Sequence, residues 1–326
     1  MRRMDNKSAA LQQTAMHLPK RSGFWERVRQ HRMMYLFLLP AFVVTIIFAF
    51  IPMFGLIMAF QDYTAVQGFM NSPFVGLKHF ISMWSNPEFI LGLKNTVFLN
   101  GMLILIGFPL PILFALLLNE IRSMLFKRVS QTISYLPHFI SWVVVAGLVY
   151  KLLEEDFGSV NLLLQALGFE KISFMREVDY FRGIFVTTVI WKELGWNSII
   201  FLAALTSIDQ DQYEAATIDG ASRFQKLLYI TLPGIANVIG LMFIFKIATI
   251  FGGGGGGASF DAVYNMGNPL VAEASLTLDY HVYLAGIRHA EISYGTAVGL
   301  VLSILSFGIL ILSNRISKKI SGYGAF

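Results

Sequence analysis

The chain has 326 residues, of which 55% are hydrophobic and only 14% are charged, with a mean hydropathy of +0.61. Ordinary soluble domains carry roughly 25% charged residues, so this composition excludes a disordered chain and indicates a membrane protein. The lack of cysteine excludes a disulfide-stapled module and a thiolate metal site. We interpret the formal charge of +5 as an excess of Lys and Arg in cytoplasmic loops rather than as a nucleic-acid surface.

The chain begins with an arginine-rich and lysine-rich segment that lacks the small-residue cleavage site of a signal peptide, so the first apolar run is expected to remain as an anchor. A helix needs about 20 apolar residues to cross a bilayer. Six runs meet this need and predict six membrane-spanning helices, at 33–60, 95–119, 129–150, 183–208, 227–245 and 292–314. Continuous runs lack the alternation of a β-barrel, so the predicted fold class is all-α, a polytopic membrane protein.

The distribution of Lys and Arg outside these spans predicts the orientation of the chain. Most of them fall on one side when the N-terminus is placed inside, so both termini are expected in the cytoplasm. The expected organisation is a basic cytoplasmic segment (1–33), a six-helix membrane domain (34–318) and a cytoplasmic tail (319–326). The membrane domain contains an inner segment (207–233) and a long outer loop (252–291).

Helix signals are concentrated in the inner segment. Ser207 or Asp209 is suited to cap a first helix, and Gly220 is suited to end it in the left-handed conformation. Ser222 then caps a second short helix, and Pro233 falls in the first turn of the next span. The predicted unit is a helix, a glycine turn and a helix, with an exposed apolar patch that suits docking into the groove of a partner.

The inner segment resembles the EAA signature of ABC-importer permeases. The match consists of Glu214-Ala215-Ala216, Gly220, Ile230 and Leu232-Pro233 at the spacing of the signature, with Asp219 and Ala221 beside the glycine. Other stretches are similar to the carbohydrate branch of that family: Trp191-Lys-Glu-Leu-Gly-Trp-Asn-Ser-Ile-Ile-Phe-Leu-Ala-Ala-Leu205, Tyr135-Leu-Pro-His-Phe139, Tyr264-Asn-Met-Gly-Asn-Pro269 and Thr296-Ala-Val-Gly-Leu300. The resemblance covers about residues 30–326.

This resemblance implies the six-helix, maltose-permease-like fold of type I ABC importers in the bacterial cytoplasmic membrane. It implies as partners a second homologous permease subunit, two ATPase subunits and an extracytoplasmic solute-binding protein. The residues expected to contact the ATPase subunit are Glu214, Ala215, Ala216, Asp219, Gly220, Ala221 and Phe224. The chain contains no Gly-x-x-x-x-Gly-Lys-[Ser/Thr] and the hexaglycine 252–257 lacks the lysine, so ATP and Mg²⁺ are assigned to the partner subunits and this chain is not an enzyme.

The function implied is a pore-forming permease that moves a carbohydrate into the cytoplasm by alternating access. An oligosaccharide is expected, and the branch includes importers of acidic chains such as alginate fragments. Two alternatives stay open: an ABC importer of a non-sugar solute, and a secondary transporter that works alone. The absence of a visible internal repeat disfavours many secondary transporters.

Ionisable residues within spans are costly, so they mark candidates for the substrate path. With neighbouring aromatic and amide groups, the candidates are Trp191, Lys192, Glu193, Trp196, Asn197 and Lys246. The alternative is that Lys192 snorkels or pairs and that the tryptophans form an interfacial belt. Adjacent residues point to different faces of a helix, so Lys192 and Glu193 are not expected to line one narrow path together.

The long outer loop is the expected contact for the solute-binding protein, with Tyr280, His281 and Tyr283 as candidates. The histidines do not have metal-ligand spacing, so no metal site is predicted. His138 follows a proline at the start of a span, which favours a packing role.

Overall fold

The computed structural model describes Arg29, residues 31–251 and residues 259–321. Most of the basic segment 1–33, the hexaglycine 252–257 and the end of the tail 319–326 lie outside these residues. The described chain is helical, with a single isolated bridge between Gln61 and Phe74, so the all-α prediction is confirmed. The chain divides into two units, Met1–Leu56 and Ile57–Phe326.

The principal helices are numbered in chain order. They are α1 (Arg32–Thr45), α2 (Pro87–Leu105), α3 (Pro109–Glu120), α4 (Met124–Tyr135), α5 (Trp142–Leu152), α6 (Ser159–Ala166), α7 (Val178–Thr206), α8 (Gln210–Ile218), α9 (Arg223–Ala248), α10 (Phe260–Met266), α11 (Leu278–Tyr283) and α12 (Ile292–Ser321). Shorter helices occupy Gly68–Asn71, Lys78–Ser82 and Ala272–Ser275.

Several of these helices are long and apolar enough to cross a membrane. Four stretches of the described chain qualify by length and composition: Arg32–Phe60, Pro87–Glu120, Arg223–Ala248 and Ile292–Lys319. The bent pair Met124–Phe139 and Trp142–Leu152 makes a fifth if it is one span. The predicted fourth span lies on α7, whose 29 residues are long enough to cross but include polar and charged side chains in mid-helix.

The span predicted over 129–150 is not one continuous helix. The chain bends by 102° between Met124–Phe139 and Trp142–Leu152. Pro137 lies in a 3₁₀ turn before the bend, and the Ser141 hydroxyl accepts a hydrogen bond from the Val144 N–H to begin a new helix. A proline and an N-cap within five residues interrupt the helix, although the composition stays apolar.

The second short helix of the inner segment is also not separate. Arg223–Lys226 continues through the π-helical turn Leu227–Thr231 into Leu232–Ala248, so that α9 is one helical stretch. The π-turn ends two residues before Pro233, whose missing N–H removes one hydrogen bond from the regular helical ladder. The cap at Ser222 therefore begins the whole of α9.

Helix α7 organises the core of the second unit because it contributes to two apolar clusters. Phe181 and Phe185 pack in one cluster with α2 and α10, while Phe201 and Leu205 pack in another with α3 and α9. A Cβ at Gly195 would overlap the Ser134 carbonyl oxygen, so glycine lets α7 approach α4 closely. This contact brings the bend after α4 against the middle of α7.

Candidate functional site

The charged pair in the middle of α7 divides its two side chains between different environments. Lys192 is only 4% exposed, and its ammonium donates hydrogen bonds to the carbonyl oxygens of Pro137 (3.3 Å) and His138 (2.6 Å). These carbonyls lie in the turn that ends the α4 stretch, where helix carbonyls attract a cation. Lys192 therefore braces the bend, and its placement on the substrate path is corrected because its ammonium is engaged by the backbone.

Glu193 contacts both neighbours, since its Oε1 lies 3.9 Å from the Lys192 ammonium and its other carboxylate oxygen binds His138. Its carboxylate Oε2 lies 3.0 Å from His138 Nδ1, and the His138 ring stacks on Trp196 at 4.3 Å between centroids with an interplanar angle of 1°. Phe139 meets the same indole edge-on. Packing is therefore only part of the role of His138, because its imidazole also binds the carboxylate of Glu193.

Two cavities lie beside this group. A cavity of about 210 Å³ is lined by His138, Glu193, Asn197, Lys246 and Asp261, among others. A larger cavity of about 630 Å³ is lined by Trp196, Asn197, Phe201, Phe245 and Lys246, among others. Asn197 and Lys246 line both, so four predicted path residues are brought together, while Trp191 lies outside both linings.

The lining combines aromatic faces with a few polar groups, which is the usual make-up of a small-molecule site. Within the described residues, Lys246 has no salt-bridge partner, whereas Glu193 is held by His138. His138 and Asp261 were missed by sequence reasoning, because no local spacing connects either of them to α7. An ammonium in a cavity lined by aromatic residues suits a ligand that has both apolar ring faces and anionic groups.

The inner segment adopts the predicted helix, turn and cap. The Asp209 carboxylate accepts from the Asp211 N–H to begin α8, and Gly220 ends the helix with φ of +78°. The Ala221 N–H then donates to the Ala216 carbonyl at 2.9 Å. Of the two predicted caps for α8, Asp209 is the one used, and the left-handed glycine turn is confirmed.

Two side-chain hydrogen bonds join α8 to α9. The Tyr213 and Thr231 hydroxyls lie 2.9 Å apart, and the Lys226 ammonium donates to the Thr217 hydroxyl at 2.7 Å. Since α9 begins immediately after the turn, these bonds make the turn and the start of α9 one rigid body.

The surface of this unit is open to a partner. Ile218 is 87% exposed and Phe224 is 67% exposed, and Glu214, Ala215, Asp219 and Gly220 are also exposed. Ala216 and Ala221 are half-buried because they pack at the turn. Large apolar side chains left in the open beside a rigid turn are typical of a docking surface.

The expected contact residues in the long outer loop differ in accessibility. Tyr280 and Tyr283 are half-buried, but His281 is only 1% exposed, so its assignment as a direct partner contact is corrected. The His281 Nε2 lies 3.1 Å from the Tyr294 hydroxyl, and its Nδ1 lies 3.5 Å from the Glu88 carboxylate. Burial lowers the pKa of His281, although Glu88 and Glu291 oppose the shift.

Comparison with known proteins finds similar membrane transport components. Residues 107–322 match the family described as binding-protein-dependent transport system inner membrane component. The chain is 41% identical to the polygalacturonan/rhamnogalacturonan transport system permease protein YteP of Bacillus subtilis (strain 168), over 94% of each chain.

Two solved structures are similar throughout the fold. One is a bacterial ABC transporter involved in the import of the acidic polysaccharide alginate, with 35% identity and a TM-score of 0.84 over 91% of this chain and 98% of that chain. The other is the bacterial alginate ABC transporter in complex with an alginate pentasaccharide-bound periplasmic protein, with 35% identity and a TM-score of 0.84 over 93% and 99%.

Proposed function

We propose that this chain is the pore-forming permease of an ABC importer of acidic oligosaccharides. The premise is that the chain belongs to the family of inner membrane components of binding-protein-dependent transport systems. Its named relatives carry polygalacturonan, rhamnogalacturonan and alginate, all of which are rich in uronates. The observation that carries the substrate class is Lys246, which lines one cavity with Trp196 and a second cavity with His138. Guanidinium or ammonium groups pair with carboxylates, and aromatic rings pack on the apolar faces of sugars.

The importer we envisage contains a second permease, two ATPase subunits and an extracytoplasmic binding protein that delivers the oligosaccharide. ATP and Mg²⁺ are bound and used by the ATPase subunits. The turn at Gly220, with Phe224 and Ile218 exposed on either side, is the contact for one of them. In this orientation both termini and the inner segment lie in the cytoplasm.

Residues that line the two cavities lie on the helices that flank the inner segment. Glu193 and Trp196 are on α7, which leads into it, and Lys246 is near the far end of α9, which leads out of it. A helix rises 1.5 Å per residue, so Arg223 and Lys246 are about 35 Å apart along α9. Movement at the turn is therefore carried through a single helix to the cavity.

Alternating access requires that the ATPase subunits bind the inner segment differently in the two states of the permease. The hydrogen bonds from Tyr213 to Thr231 and from Lys226 to Thr217 make α8 move with α9. Closure of the ATPase dimer then shifts Lys246 relative to Glu193, which opens the cavity to one side or the other.

The test is uptake by proteoliposomes that contain the complete importer and its binding protein. We expect ATP-dependent uptake of trigalacturonate, and stimulation of ATPase activity by the loaded binding protein. A chain that takes up the sugar without the ATPase subunits, driven by an ion gradient, would be a secondary transporter and would contradict the proposal. A complex that imports neutral oligosaccharides but not acidic ones would contradict the substrate class.

A further inference from the structure

Four aromatic rings are clustered in the long outer loop, outside the cavities described above. Phe260 and Tyr264 of α10 stack at 5.4 Å between centroids, and Tyr280 and Tyr283 of α11 stack at 6.3 Å. The two pairs meet, because Phe260 lies 5.2 Å from Tyr283 and Tyr264 meets Tyr283 edge-on at 5.5 Å. We call Phe260, Tyr264, Tyr280 and Tyr283, together with Arg288, the outer platform.

The guanidinium of Arg288 completes this group. It lies 5.9 Å from the centroid of the Tyr283 ring, and it is exposed. An arginine guanidinium is cationic at any physiological pH. Hydrogen bonding to the phenol groups of Tyr283 and Tyr264 raises the pKa of Arg288 further above its ordinary value. A guanidinium has five N–H donors, so one that contacts two phenol groups retains donors for bidentate binding of a carboxylate.

The outer platform differs from a closed packing cluster. Tyr264 is 41% exposed, and each of the other three rings is only partly buried. Arg288 ends a π-helical turn, Leu284–Arg288, and Ala290 two residues later has φ of +58°, which is unfavourable for an L-residue. Uncommon backbone of this kind is concentrated at functional sites, where it holds a side chain in a required direction.

The outer platform also adjoins the inner cavity through α10. Phe260 packs in the ring cluster, while the next residue, Asp261, lines the 210 Å³ cavity with Glu193 and Lys246. A sugar on the platform is therefore close to the cavity in which we place the transported chain.

We propose that the outer platform is a second binding site, which holds a uronate residue of the oligosaccharide before it enters the inner cavity. The rings pack on the apolar face of the sugar, the phenols bind its hydroxyls, and Arg288 binds its carboxylate. This inference rests on the proposed function, since it takes acidic oligosaccharides as the substrate. The importer then has two binding sites for acidic sugars: the outer platform, which contains Arg288, and the inner cavity, which contains Lys246.

The test uses the full importer in nanodiscs, without the binding protein, and two ligands of equal length: trigalacturonate and its neutral methyl ester. Direct binding is measured by saturation-transfer NMR. Loss of one charge-assisted contact is expected to weaken binding by about tenfold. We expect Arg288→Gln to weaken the binding of trigalacturonate by this factor and to change the binding of the methyl ester little.

Two further variants separate the parts of the site. Tyr264→Leu should weaken the binding of both ligands, whereas Tyr264→Phe keeps the ring and should retain most of the binding. Arg176→Gln is the matched control, because Arg176 is an exposed arginine of another outer segment. It should leave both affinities unchanged.

The proposal is overturned if Arg288→Gln binds trigalacturonate as tightly as the wild type, or if Arg288→Gln weakens the binding of both ligands equally. It is overturned as well if Arg176→Gln weakens the binding of trigalacturonate as much as Arg288→Gln does. It is also overturned if a wild-type complex that imports trigalacturonate does not bind it directly. Failure of the wild-type complex to import any oligosaccharide with its binding protein would instead overturn the proposed function.

Discussion

We call the proposed contact between the Gly220 turn and an ATPase subunit the coupling assignment, and backbone strain at Gly220 allows it to be tested. The φ of +78° at Gly220 costs an L-residue about 1–2 kcal/mol. No atom lies within 4 Å of the position that a Cβ would take, so Gly220→Ala adds backbone strain without a clash. This strain lowers the equilibrium constant between the ordered turn and its alternatives by a factor of about 5–30.

If the ATPase subunit binds only the ordered turn, and Gly220→Ala makes that turn the minor conformer, the same factor appears in its affinity. We expect Gly220→Ala to raise by about 5–30-fold the concentration of ATPase subunits that gives half-maximal assembly with the permease in nanodiscs. Gly220→Asn should have a smaller effect, because asparagine tolerates the left-handed region better than alanine does. ATPase activity stimulated by the loaded binding protein should fall in the same order.

Gly168 supplies a matched control outside the inner segment. It follows α6, has φ of +85° and has no atom within 4 Å of a Cβ position, so Gly168→Ala adds comparable strain away from the inner segment. We expect normal assembly and ATPase activity for this variant. Normal behaviour of Gly220→Ala, or an equal loss in Gly168→Ala, would refute the coupling assignment.

Three further predictions concern the charged residues. Lys192→Met leaves two carbonyls of the bend without their donor and should destabilise the permease by about 2–4 kcal/mol in thermal unfolding, whereas Lys78→Met, at an exposed pair, should have little effect. Lys246→Met should slow uptake of trigalacturonate by about tenfold or more and affect its methyl ester less; equal losses would count against a charge contact. The pKa of His281 is lowered in the folded state, so its contribution is present above pH of about 6.5 and is lost as the pH falls through the lowered value. The melting temperature should therefore drop on acidification, less so in His281→Gln, and an identical pH profile for both proteins would contradict this assignment.

Local sequence patterns were sufficient for the helical fold class and for the inner segment. Apolar runs of about 20 residues predict membrane helices without tertiary information, because a bilayer leaves the backbone few alternatives. The caps and Gly220 act within one or two helical turns, so their spacing predicts the turn that the structure contains. Composition did not reveal the 102° bend, since its proline and serine lie in an otherwise apolar run.

The site depends on contacts that sequence spacing does not encode. His138 and Glu193 are 55 positions apart, and they meet because Gly195 lets α7 approach the end of α4. The same approach places Lys192 on backbone carbonyls and leaves its neighbour facing the cavity. The sequence by itself determined which segments are helical and which one forms the glycine turn. The tertiary structure alone decided which charges are engaged and which face a cavity, because that depends on how distant helices pack together.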